Sequence, residues 1–200
     1  MMLTRKRVIE IIKSGGIGIM PTDTIYGLVG LALDKKAVER IYQVRQRKPD
    51  RPLIILIGSL SDLKLFGVDI DSKTKEVLAT YWPGAVSVVL PCKYKKFEYL
   101  HRGAKTLAFR WPKGFALEET LLKTGPLVAP SANLEGREPA KNINEAKNYF
   151  LDSVDFYYGH KDLVSLPSTL IKIENGEILV LRQGAVAIKN KRPADVGDIG

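Results

Sequence analysis

Leu53-Ile54-Ile55-Leu56-Ile57 leaves no polar side chain to turn towards water, and a strand without a wet face has to be covered on both. The segments around it alternate as that burial requires. Val8, Ile9, Ile11 and Ile12 share one helical face, behind Thr4 as N-cap and ahead of Gly15-Gly16 as the stop. A second helix begins near Lys35, keeps Ala37, Ile41 and Val44 inward, and is expected to end at Pro49. Between them, Gly16-Ile17-Gly18-Ile19 reads as a short buried strand, and Pro21, unable to donate to a ladder, is expected to take the chain out of the sheet.

Further along, Ser59 to Leu63 opens a short helix and Asp71-Ser72 caps another that runs to Trp82. Val86 to Leu90, Thr106 to Arg110 and Leu127 to Ala129 read as strands, Leu117 to Leu122 and Ile143 to Phe150 as helices. Ser168 to Ile173 and Ile178 to Arg182, joined around Asn175-Gly176, carry a hairpin signal. The sum is an α/β (α+β) chain with a twisted, open, mixed sheet of about six to eight strands and helices on its faces. One domain over residues 4–188 is expected, followed by a loosely held tail, 189–200, that lacks apolar periodicity.

Charge bears on partners. With 31 basic against 22 acidic residues, the net charge of +9 favours a polyanion, either nucleic acid or a nucleotide's phosphates. Cys92 is the only cysteine and His101 and His160 the only histidines, which argues against a disulfide or a structural zinc site. No apolar run approaches the roughly 18 residues of a membrane span. The N-terminus enters an amphipathic helix rather than a signal core, so a cytoplasmic protein is expected.

Three clusters carry chemistry. Pro21-Thr22-Asp23-Thr24-Ile25-Tyr26-Gly27-Leu28 brings hydroxyls, a carboxylate and a phenol to a strand end, where open α/β sheets hold ligands; a plain Asx or Ser/Thr turn is the alternative. Arg45-Gln46-Arg47-Lys48-Pro49 is the densest basic run, and a break at Pro49 lets its three cations converge on one anion; a solvated helix end is the alternative. Pro130-Ser131-Ala132-Asn133 places a hydroxyl and a carboxamide after a short strand, without the glycines of a nucleophile elbow. Between Tyr94 and Lys105 the chain is basic and aromatic, which reads first as a solvated loop and second as a nucleic-acid contact.

These clusters together resemble the YrdC-like threonylcarbamoyl-adenylate synthases, which begin the threonylcarbamoyladenosine modification of transfer RNA. Pro21 to Leu28 is similar to the family's Pro-Thr-(Asp/Glu)-Thr-Val-Tyr-Gly-Leu motif, Arg45-x-Arg47 to its Lys-x-Arg, and Ser131-x-Asn133 to its Ser-x-Asn. Weaker matches follow in the same order: Trp82-Pro83-Gly84, the strand Thr106 to Arg110 followed by Trp111-Pro112, Pro167-Ser168-Thr169-Leu170, and Leu181-Arg182-Gln183-Gly184. The chain departs from the pattern at Arg45, where lysine is usual, at Ala85-Val86-Ser87, where Pro-Leu-Thr is usual, and at Leu56, where some members carry histidine.

The resemblance implies condensation of L-threonine, bicarbonate and ATP to threonylcarbamoyl-AMP and pyrophosphate by a nucleotidyltransferase with a concave basic surface. It implies Arg45, Arg47 and Lys48 as the catalytic cations at the phosphates. Arg45, Arg47, Pro49, Thr106, Ser131, Asn133, Ser168 and Arg182 would hold ATP, and Thr22, Tyr26 and Arg110 would hold threonine. Mg2+ would arrive on the ATP phosphates, with no dedicated metal ligands. Transfer RNA or double-stranded RNA on the basic surface and a protein that receives the labile adenylate are the partners to expect. The short tail implies that whatever closes the site comes from elsewhere. The rival is a non-catalytic module that binds double-stranded RNA or transfer RNA.

Overall fold

The computed structural model describes residues 3–48, 52–174 and 176–189. Helix α1 (Arg5–Lys13) starts where Thr4 Oγ1 accepts the Arg7 N–H, and it buries Val8, Ile9 and Ile12. Strand β1 (Gly18–Pro21) turns straight back into β2 (Tyr26–Leu31), with Met20 opposite Gly27 and Pro21 opposite Tyr26. Strand β1 thus ends at Pro21, where the sequence suggests, but the chain re-enters the sheet at once as β2. Tyr-Gly-Leu-Val-Gly-Leu hides a strand because its glycines break the apolar pattern, and Gly30 is needed: a Cβ there would stand 2.9 Å from Ile17 Cγ2.

Helix α2 (Lys35–Val44) is capped by Asp34, whose Oδ1 accepts the Lys36 N–H at 2.8 Å. It ends well before Pro49, which lies outside the described residues. Gln46 enters the left-handed region at φ 52°, its N–H donates to Gln43 O, and the Arg47 N–H donates to Tyr42 O. That pair of bonds satisfies the last carbonyls and is the Schellman termination, here on a residue other than glycine. Backbone geometry stops this helix, not the proline.

The chain continues through β3 (Ile54–Leu56), a 3-10 segment (Leu60–Phe66), α3 (Ser72–Tyr81) and β4 (Val86–Pro91). Next come α4 (Glu98–His101), β5 (Thr106–Arg110), α5 (Phe115–Thr124) and β6 (Leu127–Val128). Helix α6 (Ile143–Phe150), β7 (Phe156–Tyr157) and the β8 (Thr169–Glu174) and β9 (Glu177–Arg182) hairpin complete it. The Tyr94–Lys105 segment is not merely a solvated loop, because a 3-10 turn and α4 bury Phe97 and Leu100. Residues 190–200, most of the expected tail, and Asn175 of the hairpin turn lie outside the described residues. Among the described residues no helix is long and apolar enough to cross a membrane.

Among the described residues the strands form one nine-stranded mixed sheet in the order β7-β1-β2-β6-β3-β5-β4-β8-β9. The expected count was lower because β2 and the two-residue β7 carry no strand signature. Pairs β1–β7, β3–β5 and β4–β8 are parallel and the others antiparallel. Strand β3 divides its side chains as the apolar run demands: Ile55 joins Ile19, Leu28, Val128 and Phe109 on one face, against Ile41 of α2. Leu56 joins Met20, Val29 and Leu127 on the other, against Ile12 of α1 and Leu121 of α5. The second cluster contains no residue of β4, β5, β8 or β9. Helices α1 and α5 thus cover only the β7-β1-β2-β6-β3 half of their face. Leu56 is fully buried, so Leu56→Ala should cost about 2–5 kcal/mol in urea unfolding. A loss below about 1 kcal/mol would mean that this face is not closed.

Candidate active site

The half of the face that no helix covers is a cavity of about 310 Å³. Its floor follows strand alternation: Thr106, Ala108 and Arg110 rise from β5, Val89 from β4 and Leu170 from β8, while Leu107 and Phe109 point to the opposite core. The β1–β2 turn, the segment after α2, Pro130-Ser131 and Pro167-Ser168 make its walls. Of the residues singled out from sequence, Thr22, Tyr26, Arg45, Arg47, Thr106, Arg110, Ser131, Ser168 and Arg182 line this one space. Asn133 is buried and held against Arg45 without lining it, and Lys48 is exposed outside it.

Arg45, the C-cap of α2, is only 3% exposed. Its Nε donates to Asn133 O at 3.0 Å, and its Nη2 to Asn133 Oδ1 at 3.1 Å and Ser131 Oγ at 3.3 Å. The planar guanidinium fork suits this, since several donors leave it in fixed directions. Asn133 spends its Nδ2 on Leu134 O and Arg137 O, so its carboxamide braces the loop. The loop is also stitched to β2, through Leu28 N–H to Pro130 O and Ala132 N–H to Tyr26 O. Arg45 Nη1 is buried with no hydrogen-bond partner. Arg47 stands two residues on, past the left-handed Gln46, with Nη2 donating to Pro52 O at 3.2 Å. Lys48 gives its backbone N–H to Glu135 Oε2.

The β1–β2 turn is held from within. Thr22 Oγ1 donates to Ile25 O at 2.7 Å and accepts the Thr24 N–H. Asp23, at the centre of the turn, stands 3.1 Å from Arg110 Nη2, both side chains being almost wholly buried. The contact supplies charge without an aligned hydrogen bond, because Asp23 Oδ1 and Arg110 Nε both lack a hydrogen-bond partner. The Asp23 Oδ2 accepts the Lys113 N–H at 3.4 Å, so one carboxylate ties the turn to the end of β5. Tyr26 is buried and its hydroxyl donates to Lys161 O at 2.7 Å, which anchors the segment entering Pro167.

On the far side, Arg182 Nη2 donates to Ser168 O at 2.8 Å. The Thr169 hydroxyl oxygen accepts the Gly184 and Val186 N–H groups, folding the chain after β9 back on itself. Gly184 cannot carry a side chain there, since a Cβ would lie 2.1 Å from Pro167 O.

Four arginines line the cavity and, among the described residues, no carboxylate does. Burial lowers the Arg45 pKa to about 10, and the charge of Arg47 acts the same way. Burial also lowers Arg110, helped by the charge of Arg182 and opposed by Asp23. All remain cations at neutral pH, crowded enough to repel in pairs, and an anion between them would relieve that repulsion. Burial pushes the Asp23 carboxyl up despite Arg110, as expected when desolvation outweighs pairing. Among the described residues no group of three or more His, Cys, Asp or Glu could hold a metal ion.

Two features escape the sequence motifs. The apolar floor of Val89, Ala108 and Leu170 has no polar signature, although spacing by two along Thr106, Ala108 and Arg110 points to it. Asp23 belongs to the quoted motif, but only the fold brings it to Arg110. Asp23→Ala would leave a buried guanidinium without its counter-charge and should cost about 3–5 kcal/mol in denaturant unfolding. Unchanged stability would show that Arg110 has other compensation.

The Sua5/YciO/YrdC family model, described as telomere recombination, matches residues 10–184. A curated relative, threonylcarbamoyl-AMP synthase of Pyrococcus abyssi, is 30% identical over 180 residues, covering 89% of this chain and 53% of its own length. The chain thus spans about half of that relative. A putative threonylcarbamoyl-AMP synthase of Methanocaldococcus jannaschii is 30% identical over 190 residues, covering 92% of this chain and 89% of its own. The crystal structure of P. abyssi Sua5 complexed with L-threonine superposes with a TM-score of 0.83 at 27% identity, over 90% of this chain and 54% of that one. With a family model spanning most of its length and a matching fold, this chain belongs to the Sua5/YciO/YrdC family.

Proposed function

We propose that this chain is an L-threonylcarbamoyladenylate synthase, a nucleotidyltransferase acting in threonylcarbamoyladenosine biosynthesis. The observation that carries the reading is a cavity lined by four guanidiniums and no described carboxylate, a donor set suited to phosphates and a substrate carboxylate together. The names of the Pyrococcus and Methanocaldococcus relatives and the L-threonine in the Pyrococcus structure agree with it.

The chemistry asks little covalent work of side chains. The threonine amine attacks bicarbonate and, with loss of water, becomes a carbamate. A carbamate oxygen then attacks the α-phosphorus of ATP, and pyrophosphate leaves. Holding the two anions together and neutralising the charge that grows on pyrophosphate are the protein's tasks. Arg45 and Arg47, with Lys48 from outside the cavity, are assigned to the phosphates, and Pro49, Thr106, Ser131, Ser168 and Arg182 to the nucleotide. Asn133 acts through the Ser131 loop that it braces. Arg110 keeps an unspent Nε and is assigned to the threonine carboxylate, with Thr22 and Tyr26 beside it. Cavity donors of this kind do not form a magnesium cage, so Mg2+ would come on the phosphates of ATP. A cytoplasmic location follows from the need for ATP and transfer RNA, and the domain is assigned to residues 4–188.

The test is pyrophosphate release from ATP and bicarbonate with and without L-threonine. Threonine-dependent release is expected. Equal release with serine or with no amino acid would reject the substrate, and salt-sensitive RNA retention without any release would favour the RNA-binding module. Arg47→Ala should lower turnover by about a hundred-fold or more while the melting temperature stays within a few degrees, since its side chain is only partly buried. A collapsed melting temperature would make Arg47 a structural residue.

A further inference from the structure

Ser87 does not line the cavity, yet it contacts a residue that does. It sits on β4 two residues before the floor residue Val89, on the same face of the strand, and is fully buried. Its hydroxyl lies 2.8 Å from that of Ser168, which is 1% exposed and lines the cavity. Among the described residues neither hydroxyl has another hydrogen-bond partner. Two hydroxyls hold two protons, and only one can lie between the oxygens. Were Ser168 the donor, the Ser87 proton would be left without an acceptor at a site that water does not reach, which is the costly arrangement. With Ser87 as donor, both needs are met: the Ser87 proton is bonded, and the Ser168 proton is free to turn to the cavity, polarised by the bond its oxygen accepts.

We propose that Ser87 is a positioning residue, which donates to Ser168 and so fixes Ser168 as a hydrogen-bond donor to an oxygen of the bound nucleotide. The inference rests on the assignment of Ser168 to ATP under the proposed function. It restricts what Ser168 can recognise. A phosphate or ribose oxygen accepts from it, whereas an amino group of the ligand, itself a donor, finds no partner there.

Calorimetric titration of ATP and of L-threonine into the whole chain tests it. Ser168→Ala and Ser87→Ala should each weaken ATP about three- to ten-fold, the scale of one hydrogen bond, and leave L-threonine within about two-fold. The double variant should bind ATP no more weakly than Ser168→Ala alone, because the two groups act as one unit. Ser87→Cys keeps the volume but supplies only a weak donor, and should behave like Ser87→Ala. Wild-type affinity in Ser87→Cys would make Ser87 a packing residue and overturn the inference. Additive losses in the double variant, or equal weakening of both ligands, would overturn it too. A wild-type protein that binds ATP but releases no threonine-dependent pyrophosphate would sink the synthase reading while the same variants still decide this one. No ATP binding by the wild-type protein would overturn both.

Discussion

Strands β3 and β6 bury side chains on both faces of the sheet, and the position of the site follows from how that double burial is met. One face is closed along its length by α2, the Leu60–Phe66 segment and neighbouring elements, around Ile55, Phe66 and Phe109. The other receives only α1 and α5, which close over Leu56, Met20 and Val29. Beyond them the same face carries Thr106, Ala108 and Val89, which line the open space instead of packing under a helix. The binding space is the uncovered part of a core rather than a groove added to a finished surface, and its floor inherits the rigidity of the sheet.

A concave site lined by arginines carries its own electrostatic burden. A buried guanidinium without partners is among the more expensive groups a protein can hold, and the chain answers differently for each. Arg45 gives Nε and Nη2 to carbonyl, carboxamide and hydroxyl oxygens of the Ser131–Asn133 loop, so its charge is kept while those donors hold the loop and Nη1 is left without a hydrogen-bond partner. Arg110 is given the carboxylate of Asp23 from the turn across the cavity. Arg182 leans on a backbone oxygen at the open end. Only donors not absorbed in this way remain for a ligand. A count of basic residues therefore overstates the recognition available, and the partners of each cation decide it.

Much of this fold is legible in the amino-acid order because the decisive patterns are local. The two-sided run at Leu53–Ile57, the caps Thr4 and Asp71, and the β5 strand from Thr106 to Arg110 stand where sequence places them. Strand β2 escapes because its glycines answer to tertiary contacts, Gly30 with Ile17 and α2 and Gly27 with Thr22, Ala129 and Pro130, that no strand periodicity records. The end of α2 escapes because a left-handed glutamine has no compositional mark, and a nearby proline offers a simpler stop. The gathering of Thr22, Arg47, Ser131 and Arg182 around one space is legible only through the family resemblance. Bonds such as Arg45 to Asn133, Asp23 to Arg110 and Ser87 to Ser168 join residues so distant in sequence that no periodicity announces them.

Gln46 sits between Arg45 and Arg47, and its positive φ makes one cation face inward to the loop while the next turns along the cavity wall. The aim of two charges is thus stored in a single torsion rather than in either charged residue. Drift at position 46 would swing the arginines relative to one another without changing their number, so evolution can retune this part of the site through a residue that does not line the cavity.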